Sequence, residues 1–189
     1  VSLASGSKVA VSERDLDGDG TLNIFDTHII GTKVALGNAY TCAILDDGLV
    51  YCWGSNHYGQ LGDGNSPTDS WTPVQAILPS GRTASTVTTD NYHTCAILDN
   101  GSVYCWGNNI FGVFGNNGTT SSAQPYADLP SGRTASSVSA GWKHTCAILD
   151  DSSLYCWGTN TYGQLGDGTT NDSFTPVAVN LPSGRTASS

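Results

Sequence analysis

The string "TCAILDDGLVYCWG", residues 41–54, is written three times in this chain: it returns as "TCAILDNGSVYCWG" from Thr94 and as "TCAILDDSSLYCWG" from Thr145. Each copy brackets a turn-forming centre, Asp-Asp-Gly, Asp-Asn-Gly or Asp-Asp-Ser, with two cysteines, giving the pairs Cys42/Cys52, Cys95/Cys105 and Cys146/Cys156. With Asp46 to Gly48 as a three-residue hairpin loop and Gly48 in the left-handed conformation, Leu45 faces Leu49, Ile44 faces Val50 and Cys42 faces Cys52. Alpha carbons at such a non-hydrogen-bonded pair lie about 4.5 Å apart, within reach of a disulfide. Three bridges are therefore expected, each stabilising the fold by roughly 2 to 3 kcal/mol in the chain-entropy model. Zinc and buried free thiols are the competing uses of these cysteines. Zinc fits poorly, because no C-x-x-C spacing occurs and His93 and His144 recur without matching ligands. Disulfides in every copy imply an oxidising compartment, placing the chain outside the cell or at its surface.

The hairpin also dictates its surroundings. Cys42, Ile44, Val50 and Cys52 share one face, and Ala43, Leu45, Leu49 and Tyr51 share the other, so both faces are largely apolar. Such a sheet must be covered on two sides, and a repeat sandwiched between its own neighbours meets that need. Aligned on Cys42, Cys95 and Cys146, the copies extend well beyond the hairpin: Trp53, Trp106 and Trp157 keep the same offsets. "YGQLGDG" at Tyr58 recurs at Tyr162 and decays to "FGVFGNN" at Phe111; "TPV", "QPY" and "TPV" follow, and each copy ends in "LPSGRTAS" or its counterpart. The units are residues 34–86, 87–137 and 138–189, each with about four short strands and no amphipathic helical stretch.

Across Gly141 to Gly168 and the equivalent stretches, the pattern G-x-x-H-T-C-A-I-L, then Y-C-W-G-x-N-x-x-G-Q-L-G-D-G, resembles the regulator of chromosome condensation repeat. That resemblance covers about four fifths of the chain and implies an all-β fold of β-propeller blades, each a four-stranded antiparallel sheet, in rings commonly of seven. Nucleotide exchange and chromatin binding, known for the founding member, are not carried over to an acidic, cysteine-paired chain. Secreted bacterial members of the family include a β-lactamase inhibitor, so the fold leaves the function open. Three blades alone leave apolar faces at both ends, and the expectation is a partial propeller whose ring is completed by oligomerisation, or a fragment of a longer one.

Composition narrows the partners. A formal net charge of -9 repels phosphate backbones and anionic lipids, arguing against nucleic acid and membrane insertion. No apolar run approaches the roughly 20 residues that span a bilayer. The sequence starts at Val1 and has no methionine, which reads as a processed start, with a removed secretion signal as its natural explanation.

Residues 1–33 stand apart from the repeats. "VSLASGSKVAVS" alternates and is rich in β-formers, so Val1, Leu3, Val9 and Val11 are read as an extended arm that adds a strand to a neighbouring subunit, in the manner of a donor strand. Pairing with its own last blade, or a disordered leader, are the alternatives. "DLDGDGTLNIFD" then places Asp15, Asp17, Asp19, Thr21, Asn23 and Asp26 at positions 1, 3, 5, 7, 9 and 12 of an EF-hand-type loop, with Gly20 at position 6. Hard oxygen ligands in that order suit calcium, and three close carboxylates need a cation to neutralise them. The loop resembles those of dockerins and thrombospondin type 3 repeats, and a structural calcium that fixes the arm's direction is expected.

Other chemistry is sparse. His93 and His144 match packing positions of the family motif, Asp63 and Asp167 sit where a carboxylate caps a turn, and Arg82, Arg133 and Arg185 recur in "SGRTAS". No triad, phosphate loop or acid and base pair is evident, so no enzyme is expected. Asn117 and Asn171 open glycosylation sequons. The expectation is a secreted structural protein: a homo-oligomeric ring that polymerises as an extracellular filament, tube or surface layer through its calcium-braced arm. The alternative is a protein- or glycan-binding module, a fragment of a longer secreted propeller, with Trp71, Trp142 and Tyr126 among the contact residues.

Overall fold

The computed structural model describes residues 33–121 and 126–188. The arm residues Val1, Leu3, Val9 and Val11 and the calcium-loop residues Asp15, Asp17, Asp19, Thr21, Asn23 and Asp26 lie outside the described residues.

Among the described residues, eleven strands form three antiparallel sheets. The first holds β1 (Val34–Leu36), β2 (Tyr40–Ile44), β3 (Val50–Gly54) and β4 (Ser70–Gln75), hydrogen-bonded in that order. The second holds β5 (Ala84–Thr89), β6 (His93–Leu98) and β7 (Val103–Gly107), and an isolated antiparallel bridge from Tyr104 to Tyr126 marks the fourth position. The third runs β8 (Ala135–Gly141), β9 (His144–Leu149), β10 (Leu154–Gly158) and β11 (Ser173–Ala178). Each sheet is an up-and-down meander, the form of a propeller blade.

The repeated hairpin has the expected register. Cys42 lies opposite Cys52, Cys95 opposite Cys105 and Cys146 opposite Cys156. All three pairs are bridged, with Cα–Cα separations of 4.1, 4.1 and 4.0 Å. Gly48 and Gly101 adopt the left-handed conformation at the turn, and Ser152 takes it in the third copy, at φ 65°. A side chain there meets the carbonyl sterics that glycine avoids.

Blades stack face to face. The stapled face of the first blade, Cys42, Ile44, Val50 and Cys52, packs with Val87, Ala96, Leu98, Tyr104 and Trp106 of the second. The second blade's stapled face, Cys95, Ile97, Val103 and Cys105, packs with Val138, Ala147, Leu149 and Trp157 of the third. Every residue of β6 and β7 is consequently buried. A strap joins neighbours: the Ala84 amide donates to Gly48 of the preceding hairpin turn, while Thr83 accepts from the Asp99 amide of the next. Ala135, Thr134, Gly101 and Asp150 repeat the same two bonds one blade on.

Candidate functional site

The seams are built from unlike halves. The preceding blade offers one carbonyl in its long loop, and the following blade sends two donors to it. At the first seam the Gln60 carbonyl accepts from Trp106 Nε1 and from the Thr94 hydroxyl, both at 2.9 Å. At the second the Val113 carbonyl accepts from Trp157 Nε1 at 2.7 Å and from the Thr145 hydroxyl at 2.9 Å. A charge pair closes each rim: Arg82 meets Asp99 at 3.3 Å, and Arg133 meets Asp150 at 3.6 Å and Asp151 at 2.8 Å.

The two seams also differ beside the long loop's glycine. At the second, the Phe174 ring of β11 lies against Gly112 so closely that a Cβ there would collide with it, and Asn117 donates its amide to the Phe174 carbonyl. Alignment on the proline of "SFTPV" and "SAQPY" puts Ala123 at the matching place in the second copy. At the first seam, among the described residues, a Cβ built on Gly59 would meet the Ser66 side chain at an ordinary 3.6 Å and no aromatic ring, and a cavity of about 740 Å³ lies there, lined by Tyr58, Ile77, Leu78, Tyr104, Trp106 and Ile110, among others. Its rim is unusually apolar, since Ile77 is 64% and Ile110 62% exposed. Tyr58 stands edge-on to Tyr92, and Tyr104 edge-on to Tyr126, with ring centroids 4.9 and 5.3 Å apart. This is an aromatic-walled socket with polar groups such as Asn108 and Ser121 at its margin.

A buried polar relay crosses the inner edge of the blades. Asp90 Oδ1 lies 2.9 Å from His93 Nδ1 and accepts the amides of Tyr92 and His93. His93 Nε2 lies 3.1 Å from the Thr145 hydroxyl. Burial raises the Asp90 carboxyl, but the hydrogen bond and charge of His93 with those amides outweigh it, and Asp90 stays below the usual carboxylate range. The order Asp, His, hydroxyl resembles a nucleophile triad. Thr145, however, is fully buried and commits its proton to the Val113 carbonyl, so the relay ties blade to blade. Tyr40 occupies the same place one blade earlier, donating to the His93 carbonyl at 2.6 Å, and burial pushes its phenol above the ordinary value.

Several features escaped the sequence reading. Asp90 replaces a glycine of the other copies, and its Asp-x-x-His spacing was the available signal. Asn56, Asn109 and Asn160, the invariant asparagine of W-G-x-N in this chain, are buried and hold the long loops, accepting from Leu61, Phe114 and Leu165 respectively. Asp63 and Asp167 do cap their turns, accepting from the amides of Asn65 and Thr169. Trp71 and Trp142 are exposed on the blades, and Tyr126 reaches the wall of the socket through Tyr104. Among the described residues, no cluster of His, Cys, Asp and Glu could hold a metal, and no helix is long and apolar enough to cross a membrane.

Fold and seams together define a segment of a β-propeller. Two family models for the regulator of chromosome condensation (RCC1) repeat match the chain, one at residues 32–60, 91–113 and 135–164, the other at residues 47–97 and 151–189. Between them they span well over half of the sequence, and the chain belongs to this repeat family. It is 35% identical over 150 residues to the ultraviolet-B receptor UVR8 of Arabidopsis thaliana, a match covering 79% of this chain and 34% of the receptor. It is 30% identical over 144 residues to the E3 ubiquitin-protein ligase HERC2 of Mus musculus, covering 76% of this chain and 3% of the ligase. The chain thus spans about a third of the receptor and a small fraction of the ligase. Among solved structures, human WBSCR16 aligns with a TM-score of 0.69 at 24% identity, over 80% of this chain and 40% of that one. Prp20p of Saccharomyces cerevisiae, described with its binding properties to Gsp1p and histones, aligns with a TM-score of 0.65 at 20% identity, over 80% and 38%. Both likenesses bear on the fold.

Proposed function

We propose that this propeller segment is a protein-binding module that acts without catalysis, taking an aromatic or large aliphatic side chain of an extended partner segment into the socket between its first two blades. One observation supports this reading above the others: among the described residues no aromatic ring covers Gly59 as Phe174 covers Gly112, and a cavity of about 740 Å³ with an apolar rim lies at that first seam. That volume falls in the range of ligand pockets, and its aromatic walls with a few polar groups suit a side chain entering from outside. The net charge of -9 favours protein over nucleic acid as the partner. Three disulfides favour an extracellular or cell-surface setting. Calcium at Asp15, Asp17, Asp19, Thr21, Asn23 and Asp26 is proposed as a structural cofactor on sequence grounds alone.

The test is selection of phage-displayed random peptides on the full chain, beside a variant carrying Ile77→Glu and Ile110→Glu. Both residues are more than half exposed, so the fold tolerates the change. Enriched peptides should share an aromatic or large aliphatic residue and bind the variant at least about tenfold more weakly. Peptides that bind both proteins equally would contradict the socket. Binding confined to sugars on a glycan array would move the reading to the alternative, a glycan-binding module. A structural, assembling role, in which the β-rich arm of residues 1–12 adds a strand to a neighbouring copy, is the second reading, on sequence grounds alone.

A further inference from the structure

The long loop of the second blade departs from its two counterparts in a way that packing does not explain. Aligned on Gly62, Gly115 and Gly166, the three loops read Gly-Asp-Gly-Asn, Gly-Asn-Asn-Gly and Gly-Asp-Gly-Thr. Gly64 and Gly168 hold the left-handed conformation in their blades, and in the second blade Asn117 holds it instead, at φ 58°. The glycine has moved one place on, to Gly118. Among the described residues every other glycine has a positive φ or, at Gly37 and Gly141, a neighbour that a Cβ would strike. At Gly118 a Cβ would meet nothing closer than Asn116 Oδ1 at 3.4 Å, and φ is not left-handed. The fold does not require a glycine there.

The amide of this displaced glycine is also untied. Asp63 Oδ1 accepts from the Asn65 amide at 3.1 Å, and Asp167 Oδ1 from the Thr169 amide at 2.9 Å. The corresponding Asn116 Oδ1 is buried without a partner, and among the described residues the Gly118 amide has no acceptor. The chain's other Asn-Gly pair, Asn100–Gly101, is held at both ends. The Gly101 amide donates to the Leu98 carbonyl at 2.9 Å, and Asn100 Oδ1 accepts from the Ser102 amide at 3.1 Å. Asn100 and Asn117 are both exposed, so access to water does not separate them.

We propose that Asn117–Gly118 is a self-modifying site, which converts to isoaspartate in water without an enzyme. The Gly118 nitrogen gives up its proton and attacks Asn117 Cγ; the N–Cγ bond forms, the Cγ–Nδ2 bond breaks, and ammonia leaves with the proton. Glycine has no Cβ to shield that nitrogen. Water then opens the cyclic imide: attack at the Asn117 main-chain carbonyl carbon leaves the backbone running through Cγ, as isoaspartate, and attack at Cγ gives aspartate. Isoaspartate lengthens the backbone by a carbon within the loop. It displaces the Gly118 carbonyl, which accepts from Asn109 Nδ2 at 3.0 Å, and with it Ser121, whose hydroxyl accepts from the Asn109 amide at 3.0 Å. Thr119 and Ser121 also line the first-seam cavity, so the change reaches its wall. The chemistry itself does not rest on the socket.

The test is a time course of the unglycosylated full chain in mildly alkaline buffer, followed by peptide mapping with fragmentation that distinguishes isoaspartate from aspartate. In the folded chain Asn117 should convert several-fold to about tenfold faster than Asn100, whose glycine amide must first break its bond. In urea with the disulfides reduced, the two sites should convert at similar rates. Asn116→Asp, which restores the cap of the other blades, should slow Asn117 several-fold, and Gly118→Ala should slow it further. The converted protein should exchange its Asn109 amide hydrogen faster than the fresh one. Asn100 converting as fast as Asn117 in the folded chain overturns the proposal. So does an Asn117 that stays intact while the unfolded chain converts, or one indifferent to Asn116→Asp. Unchanged exchange at Asn109 would overturn the displacement of the loop.

Discussion

Trp157 donates its indole hydrogen to the Val113 carbonyl, 2.7 Å away on the preceding blade. Trp106 makes the same bond to Gln60, so one tryptophan per seam joins sheets that share no strand. Removing the donor while keeping the ring should cost about 1 to 2 kcal/mol in Trp157→Phe, because a buried carbonyl loses a partner. Trp53→Phe should cost under about 0.5 kcal/mol, since Trp53 is half-buried and its indole donates no hydrogen bond among the described residues. Urea unfolding of the two variants checks the difference, and equal losses would contradict it.

Ser152 holds the left-handed turn position that Gly48 and Gly101 fill in the other copies. Ser152→Gly should stabilise the chain by up to about 1 kcal/mol. Gly101→Ser should destabilise by more than that amount, because the new Cβ also runs into the Thr134 side chain. Thermal melting of both variants reads the two signs.

Acid should weaken the fold in two stages. Burial, reinforced by the charge of His93 and partly opposed by Asp90, lowers the His144 pKa, so the folded state favours neutral imidazole. That contribution is present above the unfolded value near 6.5 and is lost as pH falls through the lower folded value. The Asp90 carboxyl is also depressed, despite its burial. Its contribution is present above the unfolded value near 3.9 and vanishes as pH falls through the folded one. Urea midpoints from about pH 8 to pH 3 should therefore drop first below about 6.5 and again below about 4. His144→Gln should flatten the first step, and Asp90→Asn the second.

The three disulfides should differ in access. Cys95 and Cys105 are fully buried between two blades, whereas Cys146 is half-exposed on the outer face. Mild reductant followed by alkylation and peptide mapping should label Cys146 and Cys156 first and Cys95 and Cys105 last. Serine replacement of any one pair should cost roughly 2 to 3 kcal/mol.

Much of this architecture is local, and that is why it could be read from the string. The pairing of Cys42 with Cys52, and of Ile44 with Val50, follows from a period of two and a three-residue turn, with no knowledge of the rest of the chain. The blade count followed from the same string being written three times. What was hidden depends on differences between copies. In the string, Ala123 where the other copies have Trp71 and Phe174 reads as a minor loop change, and nothing in the repeat pattern announces the cavity that the described residues line at the first seam. Asp90 looks like an ordinary turn residue until its carboxylate is found against His93, both buried. Among the described residues, the fourth position of the second blade is marked by the bridge at Tyr126, in the stretch where "QPY" departs from "TPV".

Calcium binding is expected from residues outside the described part. Native mass spectrometry should find one calcium per chain in the wild type and none after Asp17→Asn with Asp19→Asn, with the three disulfides intact in both. Equal calcium in the two proteins would contradict the loop assignment.

The most direct measurement of the socket uses the indole signals of the five tryptophans. Titrating the nitrogen-15-labelled chain with N-acetylphenylalaninamide, a stand-in for the ring that Phe174 supplies at the second seam, should shift the Trp106 indole resonance in a saturable way. The buried Trp157 indole should stay in place. Shifts confined to the exposed Trp71 and Trp142, with Trp106 unmoved, would contradict a binding socket between the first two blades.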